Sequence, residues 1–269
     1  MTTETLLELE HVTKAFKRRG TSEQVLAVDQ VSLTVRAGES VALVGESGSG
    51  KSTLARIALG LELPDAGSVV LTGHELSTLR GKQLRSVRRR MQPIFQDAGA
   101  SFNPRRSVRA AMFQGLRHLG SDDERQARAV DLLDRVGLRP GESFLHRLPH
   151  ELSGGQRQRL AIARAIASDP VLIVADEPLS GADVSVRGQV MNLLVDLQKE
   201  RGIAYLMITH DISLARSFAD RVAVMHHGSV VEQGSTDDVL SEPKDDYTRL
   251  LVRAVPELNG PMPSRAYLT

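Results

Sequence analysis

The chain has 269 residues, 34 basic and 33 acidic side chains, 41% hydrophobic residues, 3% aromatic residues, and no Trp or Cys. A net charge of +1 provides no global field for nucleic acid or anionic lipid, and so few aromatics argue against a stacking platform for single strands. Without Cys there are no disulfides, thiolate metal sites or cysteine nucleophiles, while the hydrophobic content suits one large α/β domain or two small lobes.

The first residues, Met1-Thr2-Thr3-Glu4-Thr5, lack the basic start and apolar centre of a signal peptide. No apolar run reaches membrane-spanning length, so a soluble chain is expected, with any membrane association through a partner. Leu6 to Val12 alternates as a half-exposed strand, and Val25 to Val35 continues strand-like to a turn at Ala37-Gly38-Glu39. Val41-Ala42-Leu43-Val44 reads as a buried strand and Leu54 to Leu59 as a helix. Between them lies Gly45-Glu46-Ser47-Gly48-Ser49-Gly50-Lys51-Ser52-Thr53, which fits G-x-x-x-x-G-K-[ST]. Glycines let several backbone N–H groups converge on phosphate oxygens, and the helix N-terminus adds its partial positive charge. In such a loop Lys51 reaches the β- and γ-phosphates and the Ser52 hydroxyl ligates Mg²⁺. A glycine-rich turn with an incidental lysine is the bland alternative, and the flanking strand and helix weigh against it.

Val69-Val70-Leu71 after Gly67 reads as a short strand, so the N-terminal third mixes antiparallel strands with the phosphate-loop unit. The basic run Arg80, Lys82, Arg85, Arg88, Arg89, Arg90 is a solvated face on the way to a strand more readily than a nucleic-acid patch. From Asp97 to Leu152 the texture is helical. Asp97 to Arg106 reads as an exposed, mobile loop, and Ser121-Asp122-Asp123-Glu124 as a capping box. Val130, Leu133 and Val136 then fall on one face before a stop at Gly137.

Leu152-Ser153-Gly154-Gly155-Gln156 places an N-cap at Ser153 and two glycines over a helix start. The helix Gln156 to Ala167 ends before Asp169-Pro170. The strand Leu172-Ile173-Val174-Ala175 then delivers Asp176 and Glu177 at its C-terminal edge, where α/β proteins place ligands. Asp176 can hold Mg²⁺, leaving Glu177 to orient or deprotonate a water. Ala204 to Thr209 is another buried strand. His226-His227-Gly228 reads as a hairpin turn between Val222–Met225 and Val230–Val231, and a metal reading there is poor. From Ser241 the tail offers one helix, Tyr247 to Val255, then a Pro-rich, loose end. There is no tandem repeat or low-complexity tract.

Together these motifs resemble the ATP-binding-cassette (ABC) ATPase family over about Leu6 to Val255. The resemblance implies an α/β phosphate-loop NTPase core with an N-terminal antiparallel β subdomain and a helical subdomain, about 97–158, inserted in it. Residues 241–269 would form a C-terminal helix and tail. It further implies ATP and Mg²⁺ as ligands, with Phe16 stacking on adenine and Gln96 contacting Mg²⁺ and water. His210 matches the switch histidine near the γ-phosphate, and Asp183 the aspartate loop. Read alone, Phe16 is a core aromatic, Gln96 a loop amide and His210 a strand-end histidine. The loop Ser180-Gly181-Ala182-Asp183 departs from the family's Ser-Ala-Leu-Asp at Gly181 and Ala182 and keeps Asp183.

Ile94-Phe95-Gln96-Asp97 running into Ser101-Phe102-Asn103-Pro104-Arg105, and Tyr247-Thr248-Arg249-Leu250-Leu251, resemble the oligopeptide/dipeptide/nickel branch of importers. That resemblance implies an ATP-hydrolysing subunit at the cytoplasmic face of the membrane, serving two transmembrane permease subunits. It would pair with a homologous or identical ATPase and depend indirectly on an extracytoplasmic substrate-binding protein, with no nucleic acid. The alternatives are a soluble ABC ATPase on ribosome or DNA, and the ATPase of an exporter.

Overall fold

The computed structural model describes residues 4–17, 24–99, 101–179 and 184–255. In chain order the elements begin β1 (Thr5–Lys17), β2 (Gln24–Arg36), β3 (Ser40–Val44), α1 (Lys51–Ala58), β4 (Ala66–Leu71), β5 (His74–Glu75) and α2 (Gly81–Arg89). Next come β6 (Met91–Ile94), α3 (Val108–Gly115), α4 (Asp122–Arg135), α5 (Gly154–Ile166), β7 (Leu172–Asp176) and α6 (Val184–Arg201). The last elements are β8 (Ala204–Thr209), α7 (Ile212–Phe218), β9 (Arg221–His226), β10 (Ser229–Ser235), α8 (Thr236–Ser241) and α9 (Asp246–Arg253). They form two compact units, one comprising Met1–Arg88 with Ile203–Thr269, the other Arg89–Gly202.

The first unit holds an antiparallel sheet in the order β2-β1-β4-β5. Leu7, Leu9 and Val12 of β1 are buried although two residues, Glu10 and His11, separate the last two. His11, at φ 46°, marks a register shift between Leu9 and Val12 that returns Val12 to the buried face. In the same unit β3 pairs in parallel with both β8 and β9, and β10 runs antiparallel to β9. All five residues of β3 are buried, as a strand covered on both faces requires. Ala42 and Val44 pack with Val222 and Val224 against Ile212, Ala215 and Ala219 and against Val239 and Leu240 of α8. Tyr247, Leu251 and Val252 of α9 cover that cluster. Most of the basic run lies on α2, which buries only Val87 and exposes Lys82, Arg85 and Arg89 to solvent, whereas Arg88 is half-buried and donates to the Gly60 carbonyl.

In the second unit β6 and β7 pair in parallel, Met91 opposite Leu172 and Ile94 opposite Ala175. The α4 capping box is present, with Glu124 N–H donating to Ser121 Oγ (3.2 Å) and Ser121 N–H to Glu124 Oε2 (3.1 Å). The helix stops at Gly137 (φ 77°), where Leu138 N–H donates to the Leu133 carbonyl at 2.9 Å. The buried stripe is Ala129, Leu132, Leu133 and Val136, so Val130 is only half-buried. The i, i+3, i+4, i+7 spacing selects the small Ala129 over the larger neighbour. The segment after Asp97 is also more anchored than its sequence suggests. Ala98 and Phe102 are buried, and Arg164 donates to the Ser101 carbonyl at 2.7 Å while its guanidinium lies over Phe102.

Candidate nucleotide-binding site

The phosphate loop follows directly from β3 and ends where α1 begins. Gly45, Gly48 and Gly50 have φ of 150°, 84° and 105°, the positive range that frees backbone N–H groups to converge. Space adds a second demand for glycine. A Cβ at Gly45 would lie 2.1 Å from the Met225 carbonyl oxygen, and one at Gly50 the same distance from that of Ala27. Ser47, Gly48 and Ser52 are exposed at the mouth, Thr53 is half-buried, and Ser49 and Lys51 are buried. The Lys51 ammonium donates to the carbonyls of Gly45 (2.9 Å) and Glu46 (2.6 Å) and to Ser49 Oγ (3.3 Å). A cation thus sits against a glycine-rich loop at a helix N-terminus, an arrangement that binds polyanions.

The loop is braced from behind by residues distant in sequence. Gly228, in the β9–β10 turn, donates its N–H to the Ser49 carbonyl (3.0 Å) and accepts from Asp29 N–H (2.8 Å). Tyr247 on α9 accepts the Glu46 N–H through its hydroxyl at 3.0 Å. Its ring stacks on His226, centroids 3.7 Å apart and planes 11° from parallel. Burial holds the Tyr247 phenol above its ordinary pKa; the Glu46 N–H bond pulls it down and the Glu46 carboxylate raises it further. Asp245 caps the helix carrying this tyrosine by accepting from the N–H groups of Tyr247 and Thr248. Glu232 of β10 accepts from Lys244 and Asp245 N–H.

Two other expected residues lie in this unit. Val44 is opposite Thr209 in the parallel β3–β8 pair, so His210 leaves β8 at the same edge from which the phosphate loop leaves β3. His210 is exposed, and Asp211 behind it caps α7 by accepting from Leu214 N–H at 3.0 Å. Phe16, on β1, is 42% exposed with Lys14 Nζ 5.5 Å from its ring centroid, which removes the core reading.

The second unit carries the carboxylates and the Ser-Gly-Gly-Gln helix start. Because β6 and β7 are parallel and in register, Gln96 beyond β6 and Asp176-Glu177 at the end of β7 emerge at one edge. Gln96 is exposed, and Asp176 and Glu177 are half-buried. Glu177 adopts φ 45°, a left-handed conformation that costs a non-glycine residue about 1–3 kcal/mol and concentrates at functional sites. Ser153 caps α5 and Gln156 completes a capping box, with Ser153 N–H donating to Gln156 Oε1 (2.9 Å) and Gln156 N–H to Ser153 Oγ (3.3 Å). Gly154 is exposed with nothing within 4 Å of where a Cβ would lie, so the helix start is open to a ligand. Gln158, which the sequence did not single out, is buried and donates to the Pro178 carbonyl at 2.5 Å, joining α5 to the loop after Glu177. Its place two residues after the motif was the only available signal. Ser180, Gly181 and Asp183 lie outside the described residues.

A family profile described as ABC transporter matches residues 28–180. The chain belongs to the ABC transporter family. It is 46% identical over 255 residues to the oligopeptide transport ATP-binding protein OppF of Streptococcus mutans, covering 94% of this chain and 82% of that one. It is 48% identical over 237 residues to the glutathione import ATP-binding protein GsiA of Salmonella typhimurium, covering 87% of this chain but 38% of GsiA. To OppD of Mycobacterium tuberculosis it is 43% identical over 268 residues, 97% of this chain and 43% of the relative. Among solved structures, the ATP-binding cassette MJ0796, in a dimeric post-hydrolysis state bound to ADP and Pi, superposes with a TM-score of 0.77. That match has 33% identity and covers 86% of this chain and 99% of the other. This ABC ATPase therefore has the α/β cassette fold implied by its motifs. Among the described residues no helix is long and apolar enough to cross a membrane.

Proposed function

We propose that this ABC ATPase hydrolyses Mg·ATP as the energising subunit of a membrane importer of peptides. The observation that carries the reading is the phosphate loop, built on three positive-φ glycines with Lys51 beneath it, in a chain closely similar to oligopeptide-transport subunits. Lys51 and the loop from Gly45 to Thr53 bind the phosphates, and Phe16 takes the adenine. The candidate metal ligands Ser52, Asp176 and Gln96 offer only oxygen donors of hydroxyl, carboxylate and amide type, a set that suits a hard cation such as Mg²⁺. That cation would neutralise charge on the β- and γ-phosphates. Glu177 orients and deprotonates the attacking water, and His210 senses the γ-phosphate.

Ser153, Gly154, Gly155 and Gln156, with Asp183, serve a nucleotide held by a second, identical or homologous ATPase subunit. The exposed helix start at Gly154 supports that role. We assign residues 6–255 to the ATP-binding domain, about 97–158 to its helical subdomain and 241–269 to a C-terminal helix and tail. The partners are two permease subunits, with a substrate-binding protein acting through them, at the cytoplasmic face of the membrane. The names of the relatives favour import of peptides over export or a ribosomal role.

The test is to purify the chain with its permease subunits and measure ATP binding and turnover for Glu177→Gln. Retained binding with turnover reduced to background is expected, because the carboxylate's basicity is lost while its shape is kept. Full turnover in that variant would remove Glu177 from the chemistry. Co-purification with ribosomes or DNA in place of permeases would replace the importer reading.

A further inference from the structure

The turn that braces the phosphate loop carries chemistry that nucleotide binding does not use. Ser229 lies opposite His226 in the β9–β10 register, leaving a two-residue turn of His227 (φ 46°) and Gly228 (φ 88°). Two-residue hairpins with positive φ at both positions ordinarily place Asn or Asp before Gly. Here a histidine occupies that position, next to a second histidine; read from sequence alone the turn is a poor metal site, but the fold brings the phosphate-loop carboxylate of Glu46 up to both rings. His226 Nε2 lies 3.4 Å from Glu46 Oε1, and one ligand atom from each of Glu46, His226 and His227 falls within 4.8 Å of the others.

The geometry points to a divalent transition-metal site of the zinc class formed by Glu46, His226 and His227. Two ligands about 2.0–2.1 Å from a tetrahedral zinc are separated by roughly 3.3 Å, so the Glu46–His226 pair already stands at coordination distance. The exposed His227 side chain can close the remaining gap by a rotamer change, since its ring is already 4.0 Å from that of His226. Tyr247 serves as the outer support. Stacking fixes the His226 ring plane, and the hydroxyl holds the Glu46 backbone, as groups packed behind metal ligands orient them elsewhere. Two imidazoles and one carboxylate favour Zn²⁺ or Ni²⁺ over Mg²⁺, which separates this site from the oxygen-only set proposed for the nucleotide's metal. A bound cation would tie the first half of the phosphate loop to the hairpin behind it.

The experiment titrates the full, nucleotide-free chain with Co²⁺, reading visible d–d absorption, and then displaces it with Zn²⁺. One equivalent should bind. His227→Asn, which tolerates the left-handed turn position, and His226→Phe, which keeps a ring against Tyr247, should each weaken binding on the order of 10–100-fold. Zn²⁺ should raise the melting temperature of the wild-type chain and leave the double variant unmoved, while both melt alike in chelator. Unchanged Co²⁺ affinity in the double variant, or no d–d band in the wild type, would overturn the assignment.

Discussion

Removing one oxygen tests whether the brace behind the phosphate loop contributes to nucleotide binding. Tyr247→Phe keeps the ring that stacks on His226 and deletes only the hydroxyl that accepts the Glu46 N–H at 3.0 Å. A typical intramolecular hydrogen bond contributes about 0.5–1.5 kcal/mol net. Glu46 is exposed, so water can take over part of this one, which places the loss in the lower half of that range. If the braced loop is the binding-competent one, its lower population raises the apparent Kd, by at most about two- to fivefold. Titration with a fluorescent ATP analogue reads that factor, and thermal unfolding reads any loss of α9 packing separately. The phenol's pKa is raised from 10.0, so the folded state favours the protonated form. That stabilisation is complete below pH 10.0 and fades as pH rises through the folded-state value, leaving the brace intact at neutral pH. A lowered melting temperature with unchanged Kd would refute the reasoning, since α9 would then serve stability alone.

Gly50→Ala should abolish nucleotide binding, because its Cβ would meet the Ala27 oxygen at 2.1 Å and Met225 Cε at 2.8 Å; wild-type affinity would contradict the close approach. Ser153→Ala should lower stability by about 0.5–2 kcal/mol through loss of the α5 cap, read as an earlier denaturant midpoint at unchanged slope. Phe16→Ala should leave stability untouched, since the ring is 42% exposed, while weakening ATP binding by about 1 kcal/mol. Equal affinity of the two proteins for a fluorescent ATP analogue would remove Phe16 from the adenine site.

The features legible in the sequence are those whose physics spans a few residues. The phosphate loop between a buried strand and a helix, the caps at Ser121 and Ser153, the stop at Gly137 and the turn at His227-Gly228 all depend on backbone conformation and hydrogen bonds within about one turn. The phase of α4 escaped because alanine is a weak hydrophobic signal, and only packing decides whether Ala129 or Val130 faces inward. The supports of the site were beyond reach for a different reason. Glu46 and Tyr247 are 201 positions apart, and Ser49 meets Gly228 because parallel pairing of β3 with β9 brings the end of β9 beside the loop. Gln158 reaches Pro178 only because α5 and the end of β7 fold together. Local sequence selected the residues proposed to meet phosphate. Strand register and helix docking, which no short window encodes, decided what holds those residues in place.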